Sequence, residues 1–177
     1  RTTITRSQMA QSLSGLGQYR RALSLIEKNL EVMATPGAAS DMDRVLVGNV
    51  VRPRLLLVSL RLDEALPLAR DGVAYLDAHM APPTHERVVA RTVLGETLLR
   101  LGRHDEADAE LRQAYDELRR VRNLSADQVD AGFEDSFGRL ALLRGDLVEA
   151  NRRVQAAVTA SSQTLGDDHH RTTRLRV

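Results

Sequence analysis

The residues that could do chemistry in this chain are five histidines, several neighbouring acids and a scatter of serines. The histidines are His79, His85, His104, His169 and His170. Asp167-Asp168-His169-His170 has the donor types of a metal site. A ligand set crowded onto four consecutive residues is poorly placed for tetrahedral coordination, however. Asp63-Glu64 and Asp105-Glu106 could suggest an acid–base pair. Neighbours in a helix point to different faces, so these read instead as first-turn residues meeting the positive end of a helix dipole. No serine sits in a Gly-x-Ser-x-Gly elbow. Gly15-Leu16-Gly17 lacks both the third glycine and the preceding strand of a phosphate loop. There is no cysteine, hence no thiolate nucleophile, disulfide or zinc–thiolate centre. These patterns predict no catalytic, metal or cofactor site and no enzyme. The remaining chemistry is recognition at a surface.

That surface must be positioned by helices. Leu94, Leu98 and Leu101 share one face at helical spacing, Gly102 breaks the run, and Ala107, Leu111 and Ala114 mark a second stripe. The pattern is a helical hairpin, and it recurs. Ala22, Ala65, Ala107 and Ala150 fall at intervals of 43, 42 and 43 residues. Ile26, Ala69, Leu111 and Val154 form a second column, and Leu30, Val73, Tyr115 and Val158 a third. Glycine precedes the turn at Gly17, Gly102 and Gly145, with Leu60 in the remaining copy. Gly95 and Gly138 share a column with Ala10 and Pro53. A fixed period in this range signals a stacked array.

Leu94-Gly95, Gly102, Ala107 and Ala114, with Phe137-Gly138, Gly145, Ala150 and Ala157, resemble the tetratricopeptide repeat family. The first copy fits through Gly17, Tyr19, Ala22 and Leu30, but carries Ala10 and Asn29 at two small-residue positions. The second departs furthest, with Pro53 and Leu60 replacing both glycines. The long period and the Leu165-Gly166-Asp167-Asp168-His169-His170-Arg171-Thr172 connector resemble the kinesin-light-chain subtype; His170 stands where a proline is usual there. The resemblance implies an all-α, right-handed superhelix of four antiparallel helical hairpins, a TPR-like α-solenoid. The hairpins span about 2–40, 41–83, 84–124 and 125–167. Residues 168–177 are expected to open a truncated fifth, and the whole is expected to be a single repeat domain excised from a longer protein.

In such arrays the first helix of each hairpin lines a concave groove. The resemblance then places Gln11, Arg54, Glu96 and Arg139 at one groove position per repeat. Ser7, Val50, Thr92 and Asp135 lie one turn earlier. Ser14, Leu57, Leu99 and Leu142 lie toward the helix ends, with Arg100 beside them. The expected groove carries arginines that could grip carboxylates by paired hydrogen bonds, together with a leucine ledge.

Composition sets outer limits. Hydrophobic residues make up 42% and aromatic residues 3%, so the core is built from Leu, Val and Ala, which suits close-packed helices better than a β-sandwich. The 25 basic and 24 acidic side chains nearly balance, which argues against a nucleic-acid partner, as do Glu96 and Asp135 in the groove. No apolar run reaches membrane-spanning length. Lys28 is the only lysine, a bias pointing to high-GC coding in a bacterium. The expected role is a cytoplasmic protein- or peptide-binding scaffold. Its expected setting is the interaction region of a larger bacterial signalling protein such as a Ser/Thr kinase, an ATPase switch or a transcriptional regulator. The alternative is homo-oligomerisation through exposed end helices. Two local expectations concern the second hairpin. Val45-Leu46-Val47 and Val50-Val51 suit a strand by type, while the repeat register argues for a helix broken near Arg52. Leu60 should not adopt a left-handed turn cheaply, so that hairpin should turn differently.

Overall fold

The recurring alanine marks where paired helices touch. Ala22, Ala65 and Ala107 are fully buried and Ala150 nearly so, because only a methyl fits between the two backbones. The computed structural model describes residues 2–122 and 130–165. They form helices α1 (Thr2–Gly15), α2 (Tyr19–Met33), α3 (Asp41–Val45), α4 (Arg52–Val58), α5 (Leu62–His79), α6 (His85–Arg100), α7 (His104–Val121), α8 (Ala131–Leu143) and α9 (Leu147–Leu165). A π-helical stretch, Leu46–Val51, joins α3 to α4. No strand occurs among the described residues. The hairpins are α1/α2, α3–α4/α5, α6/α7 and α8/α9, stacked in chain order.

Close approach is clearest in the third hairpin. A Cβ built on Gly95 would lie 2.7 Å from Leu111 Cγ, so the leucine of α7 occupies the space an alanine would need. A Cβ on Gly138 would be less crowded in the fourth, 3.2 Å from Val154 Cγ2 and 3.3 Å from Arg153 Cβ. At the turns, Gly17, Gly102 and Gly145 have φ between 74° and 79°. Each closes its helix with the same pair of bonds, as in Gly102 N to Leu99 O and Arg103 N to Leu98 O.

Leu60 corrects the expectation of a different turn. Its φ is 59°, and Leu60 N to Leu57 O with Arg61 N to Leu56 O repeats the glycine pattern. The buried Leu55, Leu56 and Leu57 fix the end of α4, and the burial of each is worth about 2 kcal/mol. That outweighs the roughly 1–2 kcal/mol that the left-handed conformation costs a leucine.

The strand alternative and the break at Arg52 are both overturned. The chain from Asp41 to Val58 stays helical throughout, begun by a Ser40–Asp43 capping box. Pro53 has no amide to offer the Asn49 carbonyl. The helix responds by widening: Arg52 N reaches back five residues to Val47 O. The displaced Asn49 carbonyl lies against Gly72 on α5, where a Cβ would overlap it. Asn49 Nδ2 also donates to Leu68 O on α5 at 3.2 Å.

The core is two clusters that meet along this helix. Val47, Leu55 and Leu56 face the first hairpin with Ile26 and Met33. Val50 and Leu57 face the rest with Leu76, Leu98, Leu111 and Leu140. A buried ionic web joins α5, α6 and α7. Asp77 bridges Arg87 (2.7 Å) and Arg91 (2.6 Å), Glu117 pairs with Arg87 (3.0 Å), and Glu110 pairs with Arg91 (2.7 Å). Thr84 caps α6, its side chain accepting from Arg87 N. Ser125-Ala126-Asp127-Gln128, which fits a capping box by sequence, lies outside the described residues, as does the Leu165–Thr172 connector beyond Leu165.

Candidate functional site

The first helices of the second, third and fourth hairpins converge on one cavity of about 570 Å³. From α4 it takes Arg54, Leu57 and Val58; from α6, Thr92, Val93, Glu96 and Arg100; from the start of α8, residues between Asp130 and Arg139. Seven of the thirteen residues picked from the sequence line it: Arg54, Leu57, Thr92, Glu96, Arg100, Asp135 and Arg139.

The others lie elsewhere. Ser7, Gln11 and Ser14 are on α1, outside this cavity; Ser7 Oγ accepts from Asn29 Nδ2 at 3.2 Å. Val50 is buried in the core rather than facing the groove. The π-helical widening adds a residue to that turn, so the position four before Arg54 no longer shares its face. Leu99 is also core, 5% exposed. Leu142, in the column of Leu57 and Leu99, is 56% exposed and outside the cavity.

The charges divide into a paired set and a free set. Arg139 Nη2 bonds Glu96 at 3.0 and 3.1 Å and lies 3.3 Å from Asp135 Oδ2. The buried Ser136 hydroxyl donates to the same Glu96 carboxylate. This knot ties α6 to α8 across the cavity floor. Asp130 caps α8 by accepting from Gly132 N (3.0 Å) and pairs with Arg122 at 3.1 Å. All three lining carboxylates therefore have cationic partners. Arg54 and Arg100 are exposed and make no hydrogen bond or ion pair among the described residues.

The apolar wall is Leu57, Val58, Val93 and Phe133. Tyr115 of α7 holds Phe133 in place, ring centroids 5.2 Å apart. Phe137 behind it lies between the guanidinium groups of Arg112 (5.6 Å) and Arg153 (5.2 Å). Thr92 Oγ1 donates to Val88 O, so its methyl side is presented.

Sequence reasoning missed Val58, Val93, Asp130, Phe133 and Ser136. A signal existed for Val58, which shares a repeat column with Arg100. Asp130 was hidden because the start of the fourth hairpin was placed at Ser125, whereas the described helix begins at Ala131.

Known proteins bear on this geometry. Residues 88–113 match the tetratricopeptide repeat family. No curated protein matches the chain. The fold is similar to that of a Podosopora anserina protein described as a kinesin light chain with nearly identical TPR-like repeats. That match has a TM-score of 0.70 at 17% identity, over 97% of this chain and 80% of the other. It is similar also to BtubC (BKLC) from P. vanneervenii, TM-score 0.72 at 14% identity, over 96% of this chain and 67% of that one. The chain thus has the all-α fold of kinesin-light-chain-like TPR solenoids, and within its third hairpin residues 88–113 are similar to the tetratricopeptide repeat.

Proposed function

We propose that this chain is a scaffold that binds a protein or peptide partner in the groove of its first helices, as the interaction region of a larger regulatory protein. The observation that carries this reading is the cavity shared by α4, α6 and α8, with an apolar wall and unpaired guanidinium groups at its surface. A preformed concavity of a few hundred Å³ with few convergent polar groups is what recognition sites offer. Tetratricopeptide arrays generally act as interaction scaffolds, in keeping with this. A bacterial signalling setting and a cytoplasmic location remain part of the proposal, the first resting on the arginine-biased composition.

The test is steric. Thr92→Trp should fill the groove, whereas Asp71→Trp adds the same bulk to an exposed α5 position outside it. Partners captured from the native cell extract by the wild type should be retained by the Asp71 variant and lost by the Thr92 variant. Equal capture by both would refute the groove as the binding surface.

Self-association is the second reading, favoured by one patch. Leu142, Leu143, Leu147 and Val148 crowd the fourth hairpin turn at 54–83% exposure. A monomer in sedimentation at high concentration would exclude it.

A further inference from the structure

The repeat register says what each hairpin presents to the next. Where the third hairpin meets the fourth, Asp105 and Asp108 of α7 receive Arg144 from the end of α8, at 2.8 and 3.2 Å. One repeat on, the columns of Asp105 and Asp108 hold Val148 and Asn151 on α9. Three repeats back, the column of Arg144 holds Leu16 at the end of α1. The ionic contact of this inner junction thus has an aliphatic counterpart divided between the two end hairpins. Among the described large hydrophobic residues, Val148 (83%) and Leu16 (72%) are the most exposed. Two further columns behave alike. Leu57 and Leu99 are 6% and 5% exposed inside the stack, while Leu142 in their column is 56% exposed. Leu94 and Phe137 are 4% and 7% exposed, while Met9 in their column is 55% exposed. Phe137 reaches back to Tyr115 of the preceding hairpin, ring centroids 6.0 Å apart, and the column of Tyr115 holds Val158 on α9.

Resting on the self-association reading and independent of the groove, we infer that copies of this chain stack head to tail: the α1–α2 face of one copy sits on the α8–α9 face of the next, with Leu16 over Val148 and Met9 over Val158. The occupant of each end face is a second copy because the two faces are the two halves of a contact that the fold already builds between its own hairpins. Val148 and Asn151 offer no ion pair to a charged partner, and an aliphatic side chain at the Arg144 position is what they match. Leu16 is that side chain. Since the two faces differ, the contact is heterologous. Each copy that joins leaves one face unfilled, so association runs on into an open-ended array and does not close at a dimer.

The test is sedimentation velocity on the full chain and on single variants at exposed positions. The wild type should grow past a dimer as its concentration is raised. Leu16→Glu and Val148→Glu each place an unpaired carboxylate in the contact, and each should weaken association at least about tenfold. Mixing them is the decisive step. The Leu16→Glu chain keeps an intact α8–α9 face and the Val148→Glu chain an intact α1–α2 face. At a concentration where each alone is monomeric, their equimolar mixture should form dimers and nothing larger. Ala74→Glu adds the same charge at an exposed α5 position and should associate as the wild type does. Circular dichroism reports whether each variant keeps its helix content. A wild type that stays monomeric overturns the inference and the self-association reading together. Growth that stops at a dimer, indifference to Leu16→Glu, an equal loss in Ala74→Glu, or a mixture that stays monomeric overturns head-to-tail stacking and leaves self-association by another contact standing.

Discussion

Leu60 carries a backbone cost that Gly17, Gly102 and Gly145 avoid. It is 69% exposed, so its side chain recovers little by burial. Leu60→Gly should therefore stabilise the protein by about 0.5–1 kcal/mol, the left-handed penalty less the extra freedom glycine has when unfolded. Urea unfolding checks it, and a destabilised variant would mean that Leu60 makes contacts its exposure hides. A second residue-scale prediction concerns acid. Hydrogen bonds from Arg152 first, and then Arg153, hold the Glu149 carboxyl down to about 2 from its ordinary 4.5. A depressed carboxyl contributes stability that is complete above its unfolded value and is lost as pH falls through its folded one. The stability difference between wild type and Glu149→Gln should thus be constant near neutrality and shrink from about pH 4.5 down to about pH 2. It should be small and sensitive to salt, since Glu149 and its first partner Arg152 face water. A difference that stays constant down to pH 2 would count against the pairing. The alanine column and the glycine turns were legible because each answers a local need that only one or two residue types meet. Leu60 was not, because its conformation is imposed by three neighbouring buried leucines rather than by its own type.

At the scale of the element, Pro53 and Gly72 form one device on two helices. The proline removes the amide that would hold the Asn49 carbonyl, the π-helical stretch lets that carbonyl swing out, and Gly72 leaves room for it. Gly72→Ala alone should destabilise by about 2–3 kcal/mol, an overpacking cost against rigid backbone. Pro53→Ala returns an amide at position 53 and lets the carbonyl draw back into its helix. The double variant should then be less destabilised than the two single changes summed, with a coupling of at least about 0.5 kcal/mol in a double-mutant cycle. Strict additivity would show that the two sites are independent. This explains why the sequence misled around Val45–Arg52. Local propensity favoured a strand and the proline favoured a break, while the deciding residue lay on another helix. The same widening took Val50 out of the groove face. Arg54, Thr92, Glu96, Asp135 and Arg139 were readable because they lie after the irregularity or on helices without one. Which of those charges stay free was not readable, since pairing across α6 and α8 is a property of the stack and not of any one repeat.

For the whole molecule, burial is unequally shared along the stack. Helix α6 lies between neighbours on both sides and buries ten residues, among them Leu94, Leu98 and Leu99. Of the α1 side chains from Thr5 onward, only Ala10 is buried. The first hairpin also has a core cluster of its own, which meets the larger one only along α3 to α4. The ionic web of Asp77, Arg87, Arg91, Glu110 and Glu117 then fastens α5, α6 and α7 from within. Removing one member would strand a buried charge, so these three helices should open together. Stacked repeats couple only to their neighbours, so an end unit can open while the middle holds. Native-state hydrogen exchange should accordingly show the slowest amides in α6 and α7, opening only with global unfolding. The amides of α1 should exchange through a separate opening of lower free energy. The groove sits between the α4 and α8 faces of that slow centre, so binding a partner there should raise protection in α6 and leave α1 nearly unchanged. Uniform protection from α1 to α9, or an α1 response as large as that of α6, would mean that the two core clusters act as one and that the groove does not report on the centre alone.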